Sequence, residues 1–175
     1  VYIRRARLIL GGQIHPRVGF FFETDSPGLG KNAAGESVKA YGGQFVQDFF
    51  ATVTANDMFQ VDGGLILVPT GYNHLQSAAS LLAIDYGPFT FAESDPMQEK
   101  VGRDSGVQAR GVLGQKFVEY RVGVFQGVRG PRAANPLRTT ARVSIHPFKT
   151  ASKSFFYPGT AFGKSKALSL GAGAD

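Results

Sequence analysis

Alternation between apolar and polar residues is the feature of this chain that most constrains its fold. The alternation has a period of two and comes in blocks that are mostly eight to ten residues long, whereas strands in soluble sheets are typically five or six residues long. In residues 59–67, Val61 and Leu65 fall on one face, and Gln60 and Asp62 fall on the other. Each block therefore predicts a long strand with two faces of opposite polarity.

Eight blocks of this kind follow one another along the chain. They comprise residues 5–10, 17–25, 45–53, 59–67, 106–113, 116–124 and 138–146, and a weaker block from about 166 to the end. Successive strands joined by simple connections are typical of an antiparallel meander. The sequence therefore predicts an all-β fold, with one up-and-down antiparallel sheet in a single partial domain over residues 1–175.

The connections between the blocks alternate in length. Three are short, at 12–16, 54–58 and 114–115, and three are long, at 26–43, 69–102 and 127–137. Short turns on one rim and long loops on the other are typical of an outer-membrane β-barrel. The seventh connection, 147–165, is long where this rule predicts a short one.

The longest connection contains a helical pattern. Leu75, Ala78, Ala79 and Leu82 have the i, i+3, i+4, i+7 spacing of one apolar helix face. We therefore expect a short amphipathic helix over 74–83, and two placements remain open for it. The helix packs over a rim, or it folds into a pore and narrows it.

Composition and charge exclude several classes of protein. The chain has 19 Lys and Arg residues against 13 Asp and Glu residues, a net charge of +6 that favours anionic partners. No stretch approaches the roughly 18 apolar residues of a spanning helix, which excludes a helical membrane protein. The absence of cysteine excludes a disulfide scaffold, a thiolate zinc site and a cysteine nucleophile. Because the arginines are dispersed over the strands, we expect no nucleic-acid partner.

No enzymatic chemistry is indicated. The three histidines, His15, His74 and His146, fall on different connections or strands, so neither a metal site nor a catalytic triad has local support. We therefore predict no catalytic residue, no metal ligand and no cofactor, and we do not expect an enzyme.

Strand length and aromatic placement indicate which face meets water. Tilted strands of nine to eleven residues span a bilayer, and aromatic girdles mark its interfaces. A charge on the lipid face costs about 2–4 kcal/mol at mid-membrane, and the apolar stripes carry none. We therefore expect the apolar stripes to face lipid. The aromatic residues near strand ends are Phe20, Phe22, Phe45, Phe49, Phe59, Tyr120, Phe125, Phe155, Phe156 and Tyr157.

Under that assignment the polar stripes line a pore. Arginines outnumber carboxylates on these stripes, and a guanidinium donates paired hydrogen bonds to phosphate or carboxylate, so the pore is expected to prefer anions. An alternative role for each of these side chains is to pair across strands and stiffen the wall. The predicted pore-lining residues are Arg5, Arg7, Arg17, Glu23, Asp48, Asp62, Gln108, Arg110, Glu119, Arg121, Arg138 and Arg142.

Several motifs resemble one known family. Residues 4–8 (RRARL), 63–69 (GGLILVP) and 102–111 (GRDSGVQARG) look like the corresponding strands of the phosphate-selective porins O and P. The resemblance implies an outer-membrane barrel of about sixteen strands in a Gram-negative bacterium, usually a homotrimer, of which this chain holds the first eight strands. It also implies passive diffusion of small anionic solutes, with phosphate as a candidate, and contact with outer-membrane lipid.

A second interpretation of the alternation remains open. A soluble antiparallel β-sandwich or barrel would bury the apolar stripes and expose the polar ones. Such a protein would bind carbohydrate or another anionic ligand. The two interpretations differ in which face of the sheet is covered.

Overall fold

The computed structural model describes residues 3–29, 45–76, 102–127, 137–148, 151, 153–157 and 166–175. Within these residues, eight strands form one sheet. They are β1 (Ile3–His15), β2 (Val18–Leu29), β3 (Phe45–Asn56), β4 (Phe59–Leu67), β5 (Arg103–Leu113), β6 (Val118–Phe125), β7 (Arg138–Ile145) and β8 (Leu170–Ala174).

The strands lie in sequence order, and each pairs antiparallel with its neighbours in the chain. The predicted all-β meander is therefore confirmed, as a partial barrel whose sheet is not closed. No helix in the described residues is long and apolar enough to cross a membrane. Residues 77–83, which hold most of the predicted amphipathic helix, lie outside the described part of the chain.

The short connections are tight turns with an evident local cause. In the β3–β4 turn, the Asn56 side-chain oxygen accepts hydrogen bonds from the backbone nitrogens of Met58 and Phe59, both at 2.9 Å. This is the arrangement by which asparagine favours a turn over continued extension. The turn also packs on the next hairpin, since the Val112 nitrogen donates to the Asp57 carbonyl at 3.0 Å.

The two faces of the sheet differ in exposure, and the polar face is the covered one. Asp48 and Asp62 are fully buried, and Arg121 is 1% exposed. By contrast, Phe49 is 58% exposed and Val107 is 53% exposed. A soluble sheet has the reverse distribution, because apolar surface is the surface that leaves water.

A segment of the seventh connection covers the polar face. We call residues 151 and 153–157 the crossing segment. At one end the Ala151 nitrogen donates to the Lys116 carbonyl at 2.8 Å, beside a short turn. At the other end the Tyr157 nitrogen donates to the Leu75 carbonyl at 2.9 Å, in the connection after β4. The connection that breaks the length rule therefore runs across the sheet instead of turning at its rim.

Aromatic side chains join the crossing segment to the sheet. Phe155 stacks on Phe50 of β3 with ring centroids 4.4 Å apart, and Tyr157 stacks on Tyr72 at 4.5 Å. Phe155 and Tyr157 belong to the buried apolar cluster, whose members are Phe50, Ile66, Leu67, Val68, Leu75, Phe125, Phe155 and Tyr157. The sequence pattern assigned the aromatic residues of this segment to an interfacial girdle, and the structure places them on the polar face.

Glycine explains why Phe125 also packs on the polar face. A Cβ atom at Gly106 or at Gly123 would lie 2.5 Å from the Phe125 ring. The missing side chains at these two positions leave a shallow depression that the ring fills, and Phe125 is consequently 1% exposed. Alternation shows which face a residue occupies, but it does not show which glycine depressions that face contains.

Candidate functional site

The charged face of the sheet is built around fully buried carboxylates, of which Asp62 has the most complete set of partners. Thr52 and Gln108 lie directly opposite Asp62 on the neighbouring strands. The Thr52 hydroxyl donates to Asp62 Oδ1 at 2.6 Å, and the Gln108 amide donates to Oδ2 at 2.8 Å. Arg110 adds a fork, with Nε 2.7 Å from Oδ2 and Nη2 3.3 Å from Oδ1. A buried charge with this many donors is well compensated.

A β-bulge creates the second buried pair. The partners of Glu23 and Thr24 are Asp48 and Val46, so Gln47 is an extra residue in β3. Gln47 and Asp48 are consequently both buried. Asp48 accepts a forked contact from Arg103, with Oδ2 2.9 Å from Nη2 and Oδ1 3.3 Å from Nε.

A third ion pair lies at the β1–β2 end of the sheet. Arg7 Nη1 lies 2.6 Å from Glu23 Oε1, and Arg7 Nη2 lies 3.3 Å from Asp25 Oδ2. Here one guanidinium holds two carboxylates on the adjacent strand.

Three arginines form a row across the other half of the sheet. Arg110 of β5 lies directly opposite Arg121 of β6, which lies directly opposite Arg142 of β7. Like charges in direct cross-strand pairs repel each other. Asp62 compensates the first arginine, and Glu119 compensates the second, with Oε1 2.8 Å from Arg121 Nε.

The same arginines hold the crossing segment. Arg110 Nη1 donates to the Lys153 carbonyl, and Arg121 Nη2 donates to the Ser154 carbonyl at 3.3 Å. The Arg121 guanidinium also lies over the Tyr157 ring, with Cζ 4.7 Å from the ring centroid. Cation–π contact and backbone hydrogen bonds together fix the segment on the polar face.

An exposed ion pair fastens the crossing segment at the rim. Lys153 Nζ lies 2.5 Å from Asp57 Oδ2 in the β3–β4 turn. The hydrogen bond from Lys153 holds the pKa of Asp57 below its ordinary value, and the positive charges of Lys153 and Lys116 act in the same direction. At the far end of the segment, burial raises the pKa of the Tyr72 phenol, with the neighbouring Tyr157 adding to the rise.

His146 joins the end of β7 to the approach to β8. Its Nδ1 lies 2.9 Å from the Ser169 hydroxyl, and its Nε2 lies 3.6 Å from Glu119 Oε2. The other two histidines lie elsewhere, and His74 is buried with its Nε2 2.8 Å from the Gly102 carbonyl. Among the described residues no three His, Asp or Glu side chains are grouped as metal ligands.

Most of the predicted pore-lining residues are brought together on this face. Glu23, Asp48, Asp62, Gln108, Arg110, Glu119, Arg121 and Arg142 are buried there, and Arg7 is partly buried. Arg138 pairs with Asp175 beside β8. Arg17 is exposed in the β1–β2 turn, and the Arg5 side chain lies outside the described part.

Sequence reasoning missed three charged residues of the site. Arg103 precedes the predicted block 106–113 and has the opposite parity from Gln108 and Arg110, but as the first residue of β5 it reaches Asp48. Asp25 belongs to the predicted polar stripe but was not singled out as pore-lining. Lys153 carries no strand pattern at all, and nothing in the sequence indicated that it approaches Asp57.

Comparison with known families identifies the kind of protein that has this sheet, in which the polar face is covered and the apolar face is exposed. The family model described as phosphate-selective porin O and P matches residues 1–160. The chain belongs to this family. No curated protein and no solved structure matches the chain.

Membership of this porin family agrees with the exposure of the two faces. Porins are channels rather than enzymes, and a porin strand alternates lipid-facing apolar residues with polar residues that face the lumen. In this porin the polar stripes are additionally covered by a segment of chain, so the site consists of a wall and an element that lies across it.

Proposed function

We propose that this porin forms a passive, water-filled channel in the outer membrane of a Gram-negative bacterium, with the charged face lining the passage. The observation that carries the proposal is the inverted sheet, since Asp62 and Arg121 are buried while Phe49 and Val107 are exposed. Exposed apolar strand faces match a lipid environment, and the matched family supports a channel.

Small anions are the proposed solutes, with inorganic phosphate as the first candidate. The family description supports phosphate, and guanidinium groups on the wall offer the geometry that binds it. Most of the arginines that the structure describes on this face are paired with carboxylates, so the preference arises from particular positions rather than from a uniformly basic wall. We further propose that the channel assembles as a homotrimer in contact with outer-membrane lipid.

The crossing segment forms the constriction of the proposed channel. It lies on the polar face and is held there by Arg110, Arg121 and Asp57. A solute that moves along the polar face therefore meets two surfaces. One is the sheet, and the other is the crossing segment with Lys153 and its aromatic side chains. The ion pairs on the wall make it rigid, so the segment has a fixed platform.

Planar-bilayer recording of the intact protein tests this function. In a gradient of potassium chloride, we expect stepwise conductance with a reversal potential of the sign that anion permeation requires. Detergent without protein is the control. Absence of channels, or a cation-selective reversal potential, would contradict the proposal.

A further inference from the structure

Arg142 differs from the other arginines on the charged face. Within the described residues, Arg7, Arg103, Arg110, Arg121 and Arg138 each contact a carboxylate. Arg142 contacts none there. Its Nε donates a long hydrogen bond of 3.4 Å to the Tyr157 hydroxyl, and its Cζ lies 6.0 Å from the centroid of that ring.

The row of arginines to which Arg142 belongs has one more positive charge than it has carboxylates. Arg110, Arg121 and Arg142 lie side by side on β5, β6 and β7, and two carboxylates, Asp62 and Glu119, face them. Arg121 also has a hydrogen-bond donor to spare, since its Nη1 is buried without a partner. The row therefore has more donors and more positive charge than its own carboxylates satisfy.

Glycines on β8 leave no side chain between the Arg142 guanidinium and the backbone of that strand. Gly173 lies opposite Arg142, and Gly171 lies opposite Ser144. A Cβ atom at Gly171 would lie 2.7 Å from both Arg142 Nη2 and Ser144 Oγ. The two polar groups therefore converge on one point above β8, and the Ser144 hydroxyl has no partner there.

We propose that Arg142 is the residue that determines solute specificity in this channel, and that it binds a small oxyanion with Ser144 as a second donor. The inference rests on the proposed channel function, and it assigns the solute specificity of that channel to one residue. A guanidinium donates two parallel hydrogen bonds to an oxyanion such as phosphate, which a lysine ammonium does not. With a single uncompensated charge, binding is weak enough for the solute to leave, as conduction requires.

The experiment measures block of chloride current by inorganic phosphate in planar bilayers containing the intact protein. In the wild type, phosphate reduces the current and the reduction saturates. R142Q weakens the apparent phosphate affinity about tenfold or more, as expected for loss of a charge-assisted pair. R142K keeps the charge and loses the fork, so its affinity falls in between, and S144A has a smaller effect of the same sign.

The matched control is K166Q, which removes the same charge at an exposed position before β8 and should keep wild-type block. Chloride current alone shows that each variant has inserted, and R142K and S144A carry the test if R142Q does not insert. Wild-type phosphate block in R142Q, or equal loss of block in K166Q, overturns the assignment of Arg142. Anion-selective channels without saturable phosphate block overturn it while the proposed function stands, whereas absence of channels overturns the function itself.

Discussion

At the scale of single residues, the charged face consists mainly of paired charges, and Asp62 has the most complete set of partners. It is fully buried and accepts hydrogen bonds from Thr52, Gln108 and Arg110. Burial of both partners makes such a pair costly to break, because the remaining charge keeps its desolvation penalty. The value of Asp62 therefore lies in keeping Arg110 neutralised and in place.

We expect Asp62→Asn to destabilise the protein by about 3–5 kcal/mol, since it leaves the Arg110 guanidinium buried without a carboxylate. Urea unfolding in lipid vesicles measures the change. Asp175→Asn is the control, because it removes a partly exposed carboxylate from Arg138 and should cost less than about 1 kcal/mol. Equal losses in the two variants would show that burial does not set the cost.

Asp57 gives a pH dependence whose direction follows from its lowered pKa. A carboxyl group whose pKa is lower in the folded state than in the unfolded state stabilises the folded state at pH values above its unfolded pKa. This stabilisation is lost as the pH falls through the pKa of the folded state. We therefore expect the crossing segment to loosen in acid, below about pH 4. The effect is small and decreases with salt, because the pair with Lys153 is exposed.

Hydrogen exchange at the amides of Ala151 and Tyr157, corrected for intrinsic exchange, measures this loosening. Protection should fall between pH 5 and pH 3 in the wild type. In Asp57→Asn, protection should be lower at pH 5 and should change less with pH. A wild-type profile in the variant would show that the Asp57–Lys153 pair does not hold the segment.

At the scale of elements, the strands could be predicted from the sequence and the crossing segment could not. Period-two alternation predicts a strand at each of the eight places where the structure has one, and in β6 and β7 it also predicts which residues are covered, whereas β8 is exposed throughout. The bulge at Gln47 and the reach of Arg103 depend on neighbouring strands, which alternation does not describe. The sequence pattern predicted Phe155 and Tyr157 to be interfacial, because aromatic residues are common both at membrane interfaces and in buried apolar clusters.

The packing of the crossing segment predicts a difference between two phenylalanines of the same connection. Phe155 is buried on Phe50, whereas Phe148 is 67% exposed. Phe155→Ala should remove about 3–5 kcal/mol of packing, release the segment and raise single-channel conductance. Phe148→Ala should leave conductance unchanged. Unchanged conductance in the Phe155 variant would show that the segment does not limit the passage.

At the scale of the whole molecule, the two faces and the crossing segment form one arrangement. The apolar face is exposed, as a lipid-facing surface would be. The polar face carries Arg110 and Arg121, which hold the crossing segment. Sequence reasoning reached this orientation from strand length and charge-free apolar stripes. It left open whether the charged side chains pair across strands, because pairing depends on register between strands.

The sequential strand order also bears on how the sheet is made. Each strand pairs only with strands adjacent in the chain, from β1 to β8, and the turn after β1 and the turn after β3 are two residues long. Closing such hairpins costs little chain entropy, so the sheet can grow by adding one hairpin at a time. The crossing segment lies in the connection between β7 and β8, so the two arginines that hold it, Arg110 and Arg121, belong to strands that precede it in the chain. If hairpins are added in chain order, the crossing segment docks on a sheet that already contains β5 to β7, and β8 joins the sheet afterwards.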